Sequence, residues 1–185
     1  FIFKNKNFEN QTNKDEKRKV LEFSENQEGW TDELTEMAHL YIDANHPIDF
    51  ASRETCIEFL NQFDQSKKKV VLEIGCSNGN LIKNITKLKK YSYIGSDAIK
   101  SHIYKLSTEY ENIPFVIFDL LKNPFKKSIC DVVIMLNVLE HIKDDDKALL
   151  EVNKILNNNG ILILEVPSGS FLYDEYDRKL LHYRR

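Results

Sequence analysis

Residues 70–80, Val-Val-Leu-Glu-Ile-Gly-Cys-Ser-Asn-Gly-Asn, constrain this chain more than any other stretch. An apolar run with the character of a buried strand passes through a glycine-containing turn into a helical stripe made by Leu81, Ile82, Ile85 and Leu88. Open α/β sheets bind ligands at such places, beyond the carboxyl ends of their strands. Gly75 and Gly79 let the backbone turn tightly and come close to a ligand, and the helix that follows presents unpaired N–H groups. The dinucleotide fingerprint would need glycine at positions 77 and 80, where the chain has Ser77 and Asn80, and no Gly-Lys-Ser/Thr follows. A pyrophosphate cradle of the NAD type and a P-loop are both disfavoured.

From Val70 onward, short apolar runs alternate with amphipathic stretches, the pattern of parallel strands joined by crossover helices. Five strands are predicted: Val70–Ile74, Tyr91–Gly95, Phe115–Phe118, Val132–Leu136 and Ile161–Val166. A second clear helical stripe runs through Ala148, Leu149, Val152, Ile155 and Leu156. Before this core, Lys4–Glu28 is dominated by Asn, Lys, Glu and Gln, with isolated Phe8, Val20, Leu21 and Phe23, and reads as a tail or lid. Thr31 can cap a helix with Asp32 and Glu33 in its first turn and Leu34, Met37, Ala38 and Tyr41 on one face. Asn45, His46 and Pro47 break that pattern before Cys56, Ile57, Leu60 and Phe63 resume it, which suggests a helical hairpin. The expected division is a polar segment 1–30, a helical cap 31–66, a ligand-binding core 67–167 and a C-terminal segment 168–185.

A chain of 185 residues, 42% of them hydrophobic, buries one good core. Its net charge of −3, with both signs mixed along the chain, offers no broad basic surface, so a small-molecule partner is expected and nucleic acid is not. Cys56, Cys76 and Cys130 form no CxxC pair and no histidine stands at ligand spacing from them; they read as reduced thiols, with no metal. No apolar run approaches the roughly 20 residues that cross a bilayer, so no membrane insertion and a cytoplasmic location are expected. Oligomeric state leaves no mark in the sequence.

Two carboxylates carry the ligand argument. Glu73 ends an otherwise apolar strand, where an ionised group needs a partner, and it therefore points to a polar ligand. Tyr93-Ile-Gly-Ser-Asp97 puts a second carboxylate at the adjacent strand tip one βαβ step later, the position from which an acid accepts hydrogen bonds from ribose hydroxyls in adenosine-binding folds.

Val71-Leu-Glu-Ile-Gly-Cys-Ser-Asn-Gly-Asn80 resembles motif I of the class I S-adenosylmethionine-dependent methyltransferases. Ile94-Gly-Ser-Asp97 is similar to their ribose-binding strand end, and Phe118-Asp119 with Pro124-Phe125 to their adenine-side segment. Asp131-Val-Val-Ile-Met-Leu-Asn-Val-Leu-Glu-His141 and Ile155-Leu-Asn-Asn-Asn-Gly-Ile-Leu-Ile-Leu-Glu-Val-Pro167 match two further segments, in order, over the last two-thirds of the chain. The resemblance implies a Rossmann-like α/β fold: parallel strands with helices on both faces and an N-terminal helical extension. The family's last two strands would be lacking, because the sequence stops at Arg185. It implies methyl transfer from S-adenosylmethionine, leaving S-adenosylhomocysteine, to a small-molecule or saccharide-type acceptor. By the same resemblance Glu73 and the Gly75–Gly79 loop meet the methionine end, Asp97 the ribose, Asp119 the adenine and Asn137 the sulfonium side. Cys76, Ser77, Ala98 and Leu120 join them on the cofactor side. Ser77 replaces the commoner middle glycine, and Asn158-Asn159-Gly160 the usual Pro-Gly-Gly turn.

Several residues admit two readings. His141 is a candidate general base near the methyl group or a histidine that holds its loop. Asp119 can cap a turn, and Asn137 can satisfy its own loop. Asp144, Asp145 and Asp146 suit a helix start better than a metal. The terminal Pro167–Arg185 is similar to the acceptor-side segment of bacterial methyltransferases, so Tyr173, Asp177, His182, Tyr183 and Arg184 are candidate substrate contacts or a structural clasp. The competing functions are a noncatalytic S-adenosylmethionine-binding module that scaffolds a partner and a dehydrogenase, the latter disfavoured by the failed glycine fingerprint.

Overall fold

A computed structural model describes residues 20–23, 31, 33–34, 47–63 and 67–185. Its elements follow the order β1 (Val20–Glu22), α1 (Pro47–Gln62), β2 (Lys69–Ile74), α2 (Ile82–Lys87), β3 (Tyr91–Asp97), α3 (Lys100–Glu109), β4 (Phe115–Ile117), β5 (Cys130–Leu136), α4 (Asp145–Ile155), β6 (Leu156–Glu165) and α5 (Glu175–Lys179). Short 3₁₀ turns occupy Leu120–Lys122, Leu139–His141 and Ser170–Leu172. Among the described residues the strands form one sheet in the order β1-β4-β3-β2-β5-β6, and every pairing is parallel. The fold is thus the Rossmann-like parallel sheet expected.

The alternation along each strand explains the two faces. Val71, Tyr93, Phe115, Val132 and Ile134 point to one side and pack with Cys56 and Leu60 of α1, Ile82 and Ile85 of α2, and Ile103 and Leu106 of α3. Leu72, Ile94, Val116, Val133 and Met135 point to the other and pack with Ala148, Val152 and Ile155 of α4 and with Phe125. Strands covered on both faces read as near-continuous apolar runs, as β2, β4 and β5 do.

Three features differ from the sequence expectation. The stretch expected to be a tail or lid contributes β1, which pairs Val20 with Phe115 and Glu22 with Ile117 at the sheet edge. Its Glu22 is held against α3 by Lys100 and by the Tyr104 hydroxyl at 3.0 Å. Pro47, expected to break a helix, instead begins α1, where its missing N–H costs nothing and its fixed φ suits the first turn. β6 begins at Leu156 rather than Ile161, because a register shift between Cys130 and Val132 lets Asn157–Gly160 bulge out of the ladder. Asn157 Nδ2 ties that bulge to Asp131 at 3.1 Å. Of the predicted helix after Thr31, only the start is described: the Leu34 N–H donates to Thr31 Oγ1 at 3.3 Å, and Met37, Ala38 and Tyr41 lie outside the described residues.

Candidate functional site

The sheet order reverses between β2 and β5, each of which continues to a loop that turns away from the other, so a crevice opens at their carboxyl ends. A cleft of about 1630 Å³ occupies this place, lined by the loops after β2, β3, β4, β5 and β6 and by Ile48, Ser52 and Arg53 of α1. α1 is anchored across it where the Ser52 hydroxyl donates to Glu165 Oε1 at 2.5 Å.

The loop after β2 owes its shape to residues in the left-handed region: Gly75 at φ 80°, Ser77 at φ 44° and Gly79 at φ 74°. At Gly75 a Cβ would stand 2.4 Å from Val138 Cγ2, so only glycine fits there. Ser77 occupies a conformation that glycine adopts more cheaply, which is the physical content of the family's usual glycine at this place. The loop is tied to β3: the Gly75 and Cys76 N–H groups both donate to Ser96 O, at 2.8 and 2.9 Å.

Asp97 completes the connection. Its Oδ2 accepts from the Ser77 N–H at 2.8 Å and its Oδ1 from the Ile99 N–H at 2.9 Å. A carboxylate has about four lone-pair directions, so these two bonds do not exhaust its acceptor capacity. Burial raises the Asp97 carboxyl above its ordinary value, opposed first by those two N–H groups and then by His102 and the Ala98 N–H. Glu73, on the same sheet face as Val71, accepts from the Tyr93 hydroxyl, and burial pushes it up to about 7, with Tyr93 opposing and Asp97 reinforcing the shift. Two buried carboxylates therefore stand at neighbouring strand tips, beside the glycine-containing loop. Cys76, with burial and then Asp97 and Glu73 acting on it, is raised well above the ordinary thiol range; Cys56 and Cys130 are pushed up to about 12, burial again leading. Such thiols are inert.

Of the other candidates, Ala98, Asp119, Leu120 and Asn137 all line the cleft. Asp119 also caps the turn that follows it, accepting from the Leu121 N–H at 2.9 Å. Asn137 sits at φ 53°, its N–H donating to Glu165 O at 3.0 Å. Asp144 caps α4 by accepting from the Lys147 N–H at 3.0 Å. His141 lines the cleft and also holds the loop: its Nδ1 lies 3.0 Å from Leu180 O, and burial followed by the neighbouring His182 lowers it to about 4.

The C-terminal candidates separate. His182 and Tyr183 reach the cleft. Arg184 clasps the loop after β5, donating to Leu139 O at 3.0 Å, Ile142 O at 2.6 Å and Lys143 O at 2.7 Å and pairing with Asp145. The Tyr173 hydroxyl donates to His182 O at 2.6 Å. Asp177, fully buried, accepts from Arg185 Nε at 2.8 Å and faces His182 Nδ1 at 2.8 Å. Sequence reasoning did not single out Tyr93, Glu165, Ser52 or Glu140 as site residues. Tyr93 could have been found from its place two residues before Gly95, the residue directly across from Glu73 in the paired strand, on the same sheet face.

A family model described as a methyltransferase domain matches residues 49–185. A tRNA U34 carboxymethyltransferase of Campylobacter jejuni is 26% identical over 91% of this chain and 56% of its own length. A ubiquinone biosynthesis O-methyltransferase of Pelagibacter ubique is 28% identical over 80% of this chain and 63% of its own. The chain thus spans little more than half the length of these curated relatives. A solved structure from Methanococcus maripaludis, provisionally assigned there as an S-adenosyl-L-methionine-dependent methyltransferase, superposes with a TM-score of 0.59 at 19% identity, covering 76% of this chain and 65% of that one. That likeness speaks for the fold.

Proposed function

The chain belongs to the methyltransferase-domain family, with the fold of the class I S-adenosylmethionine-dependent enzymes, and from that premise we propose that it transfers a methyl group from S-adenosylmethionine to a small-molecule or saccharide-type acceptor. One observation carries the reading: Glu73 and Asp97 stand buried at adjacent strand tips around a loop in which a Cβ at Gly75 would collide with Val138. A carboxylate with spare acceptor positions suits vicinal ribose hydroxyls, and a second, kept in a buried place at a cost, suits a cationic ammonium. The residues fit the cofactor.

In this reading Asp97 binds the ribose, Glu73 and the 75–79 backbone the methionine end, Asp119 and Leu120 the adenine, and Asn137 the sulfonium side. Cys76, Ser77 and Ala98 contribute backbone and van der Waals surface. The bound sulfonium supplies an already activated methyl group. What the chain must add is alignment and exclusion of water, which for well-oriented reactants is worth on the order of 7–11 kcal/mol. α1 covers the cleft, and the 139–143 loop, fixed by Arg184, shapes its acceptor side. His141, lowered to about 4, stays neutral at physiological pH and orients through Leu180 O; His182 and Tyr183 face the acceptor. We assign residues 67–167 to the cofactor core, 31–66 to a cap and 168–185 to the acceptor side.

The two named relatives act in different settings, on tRNA U34 and in ubiquinone biosynthesis, so neither fixes the acceptor. A small molecule is favoured by the net charge of −3 and by a cleft with room beyond a nucleoside. No helix among the described residues is long and apolar enough to cross a membrane. Calorimetric titration with S-adenosylhomocysteine tests the reading: micromolar binding that Asp97→Ala abolishes supports it. A folded chain that binds no S-adenosylhomocysteine refutes it, and binding without methyl transfer to any acceptor screened favours a noncatalytic module.

A further inference from the structure

Glu140, 1% exposed, has neither carboxylate oxygen in hydrogen-bonding geometry with any donor among the described residues. Such a group is expensive to keep inside a protein unless something else meets it. What it faces is a pair of histidines: one ligand atom from each of Glu140, His141 and His182 lies within 4.8 Å of the others. The two rings meet edge to face with centroids 4.6 Å apart.

The outer contacts of these histidines have the pattern found around metal ligands, in which one ring nitrogen donates to a carboxylate or carbonyl and the other carries its lone pair inward. His182 Nδ1 is 2.8 Å from the buried Asp177 carboxylate, itself fixed by Arg185. His141 Nδ1 is 3.0 Å from Leu180 O. In both cases the Nδ1–H tautomer is favoured, and Nε2 is the nitrogen with the basic lone pair. The cluster is held from behind as well: the Tyr183 N–H donates to Glu140 O at 2.8 Å, and Arg184 binds the carbonyls on either side of the 140–141 pair. The loop after β5 and the segment after α5 are thereby joined at the point where the three groups converge.

We propose that Glu140, His141 and His182 form a binding site for one first-row divalent cation, with the remaining coordination positions directed into the cleft they line. Two imidazoles and a carboxylate are a borderline donor set, suited to Mn²⁺, Fe²⁺, Co²⁺ or Zn²⁺ in preference to Ca²⁺. Bonds of about 2.0–2.2 Å would require the cluster to close by about an ångström, a side-chain adjustment. The cation gives the buried Glu140 carboxylate a partner of opposite charge. Resting on the methyl-transfer reading, the site further assigns the ion a role: an acceptor oxygen coordinated there loses its proton more readily. Sequence inspection, which expected no metal, could not see the cluster, because its third member comes from a different element of the fold.

The test uses the full chain freed of metal with a chelator and titrated with Co²⁺, whose visible absorption reports nitrogen and oxygen coordination, with stoichiometry checked by elemental analysis. One equivalent bound at micromolar concentration, weakened about tenfold or more in Glu140→Gln and in His141→Ala, is the expected result. Glu140→Gln preserves side-chain volume; should it fail to fold by circular dichroism, His141→Ala decides. Absence of saturable binding at about 100 µM Co²⁺ or Zn²⁺, or binding undiminished in the variants that fold, overturns the proposal. S-adenosylhomocysteine is titrated into the metal-free chain in parallel. Nucleoside binding without Co²⁺ binding refutes the metal site alone, and Co²⁺ binding without nucleoside binding refutes the methyl-transfer reading alone.

Discussion

Glu73→Gln separates what the cofactor site costs from what it gains. In the folded chain the Glu73 carboxyl titrates at about 7 against an ordinary 4.5, with burial as the leading cause. Between those two pH values the folded protein holds a proton that the unfolded chain has released, so stability falls as pH rises from 4.5 to 7 and levels off at the reduced value above 7. At 1.36 kcal/mol per pH unit the penalty reaches about 3 kcal/mol in the ligand-free protein at pH 8. Glutamine keeps the shape and still accepts from the Tyr93 hydroxyl, but carries no charge to desolvate. Urea denaturation should therefore show the variant more stable than the parent by about 2–3 kcal/mol at pH 8, with the difference shrinking towards zero near pH 4.5. Calorimetry on the same samples should show S-adenosylhomocysteine bound about ten- to hundredfold more weakly, the loss of one charge-assisted hydrogen bond. A stability gain equal at both pH values, or a variant less stable at pH 8, would refute the reasoning, because either would mean that burial of this charge is not what the fold opposes.

Other perturbations should follow the same physics. Asp97→Ala orphans the Ser77 and Ile99 N–H groups and should cost about 1–3 kcal/mol in urea denaturation, together with nucleoside binding. Gly75→Ala drives a Cβ into Val138 at a positive φ and should abolish binding; adding Val138→Ala removes the collision but leaves about 1–2 kcal/mol of backbone strain, so titration should show partial recovery only. Arg184→Ala removes three hydrogen bonds to the 139–143 loop and should lower stability by about 2–3 kcal/mol, with Arg184→Lys failing to restore it because an ammonium cannot reproduce the planar fork. Thermal denaturation of the two variants side by side checks this, and full rescue by lysine would contradict it.

The sheet and the side of the cleft formed by the loops after β2 and β3 were legible because their signals are local. β2 and its loop are an apolar run ending at two glycines, and Glu73 and Asp97 stand out as charges at the ends of such runs. The acceptor side was not legible in the same way. Glu140 looked like a mere neighbour of His141, and His182 like one of several polar residues near the end. They meet only because Arg184 and Tyr183 return the chain to the loop after β5. In the same arrangement Arg184 and Tyr173 are hydrogen-bonded within the C-terminal segment and the loop after β5, while His182 and Tyr183 line the cleft. In the sequence Asn158–Gly160 reads as a turn, since the bulge that Asn157–Gly160 forms is a property of the pairing between two strands and has no periodicity of its own.

β1 couples distant parts of the chain through very little contact. Three residues pair with partners about 95 positions later, so the strand must meet the conformational cost of closing slightly more than half the chain into a loop, on the order of 4 kcal/mol before any constant term. In return it gains a short ladder, the Phe23 N–H to Ile117 O bond at 2.8 Å and the contacts of Glu22 with α3. Such an element docks late, after β4 and α3 have formed, and opens first, as a unit separate from global unfolding. When it opens it bares the polar backbone edge of β4, and the molecule acquires a transient site for pairing with another chain. β1 thus acts as a removable guard of the β4 edge, one whose departure would shorten the protein's life in concentrated solution while the cleft at the far tips of β2 and β5 stays intact.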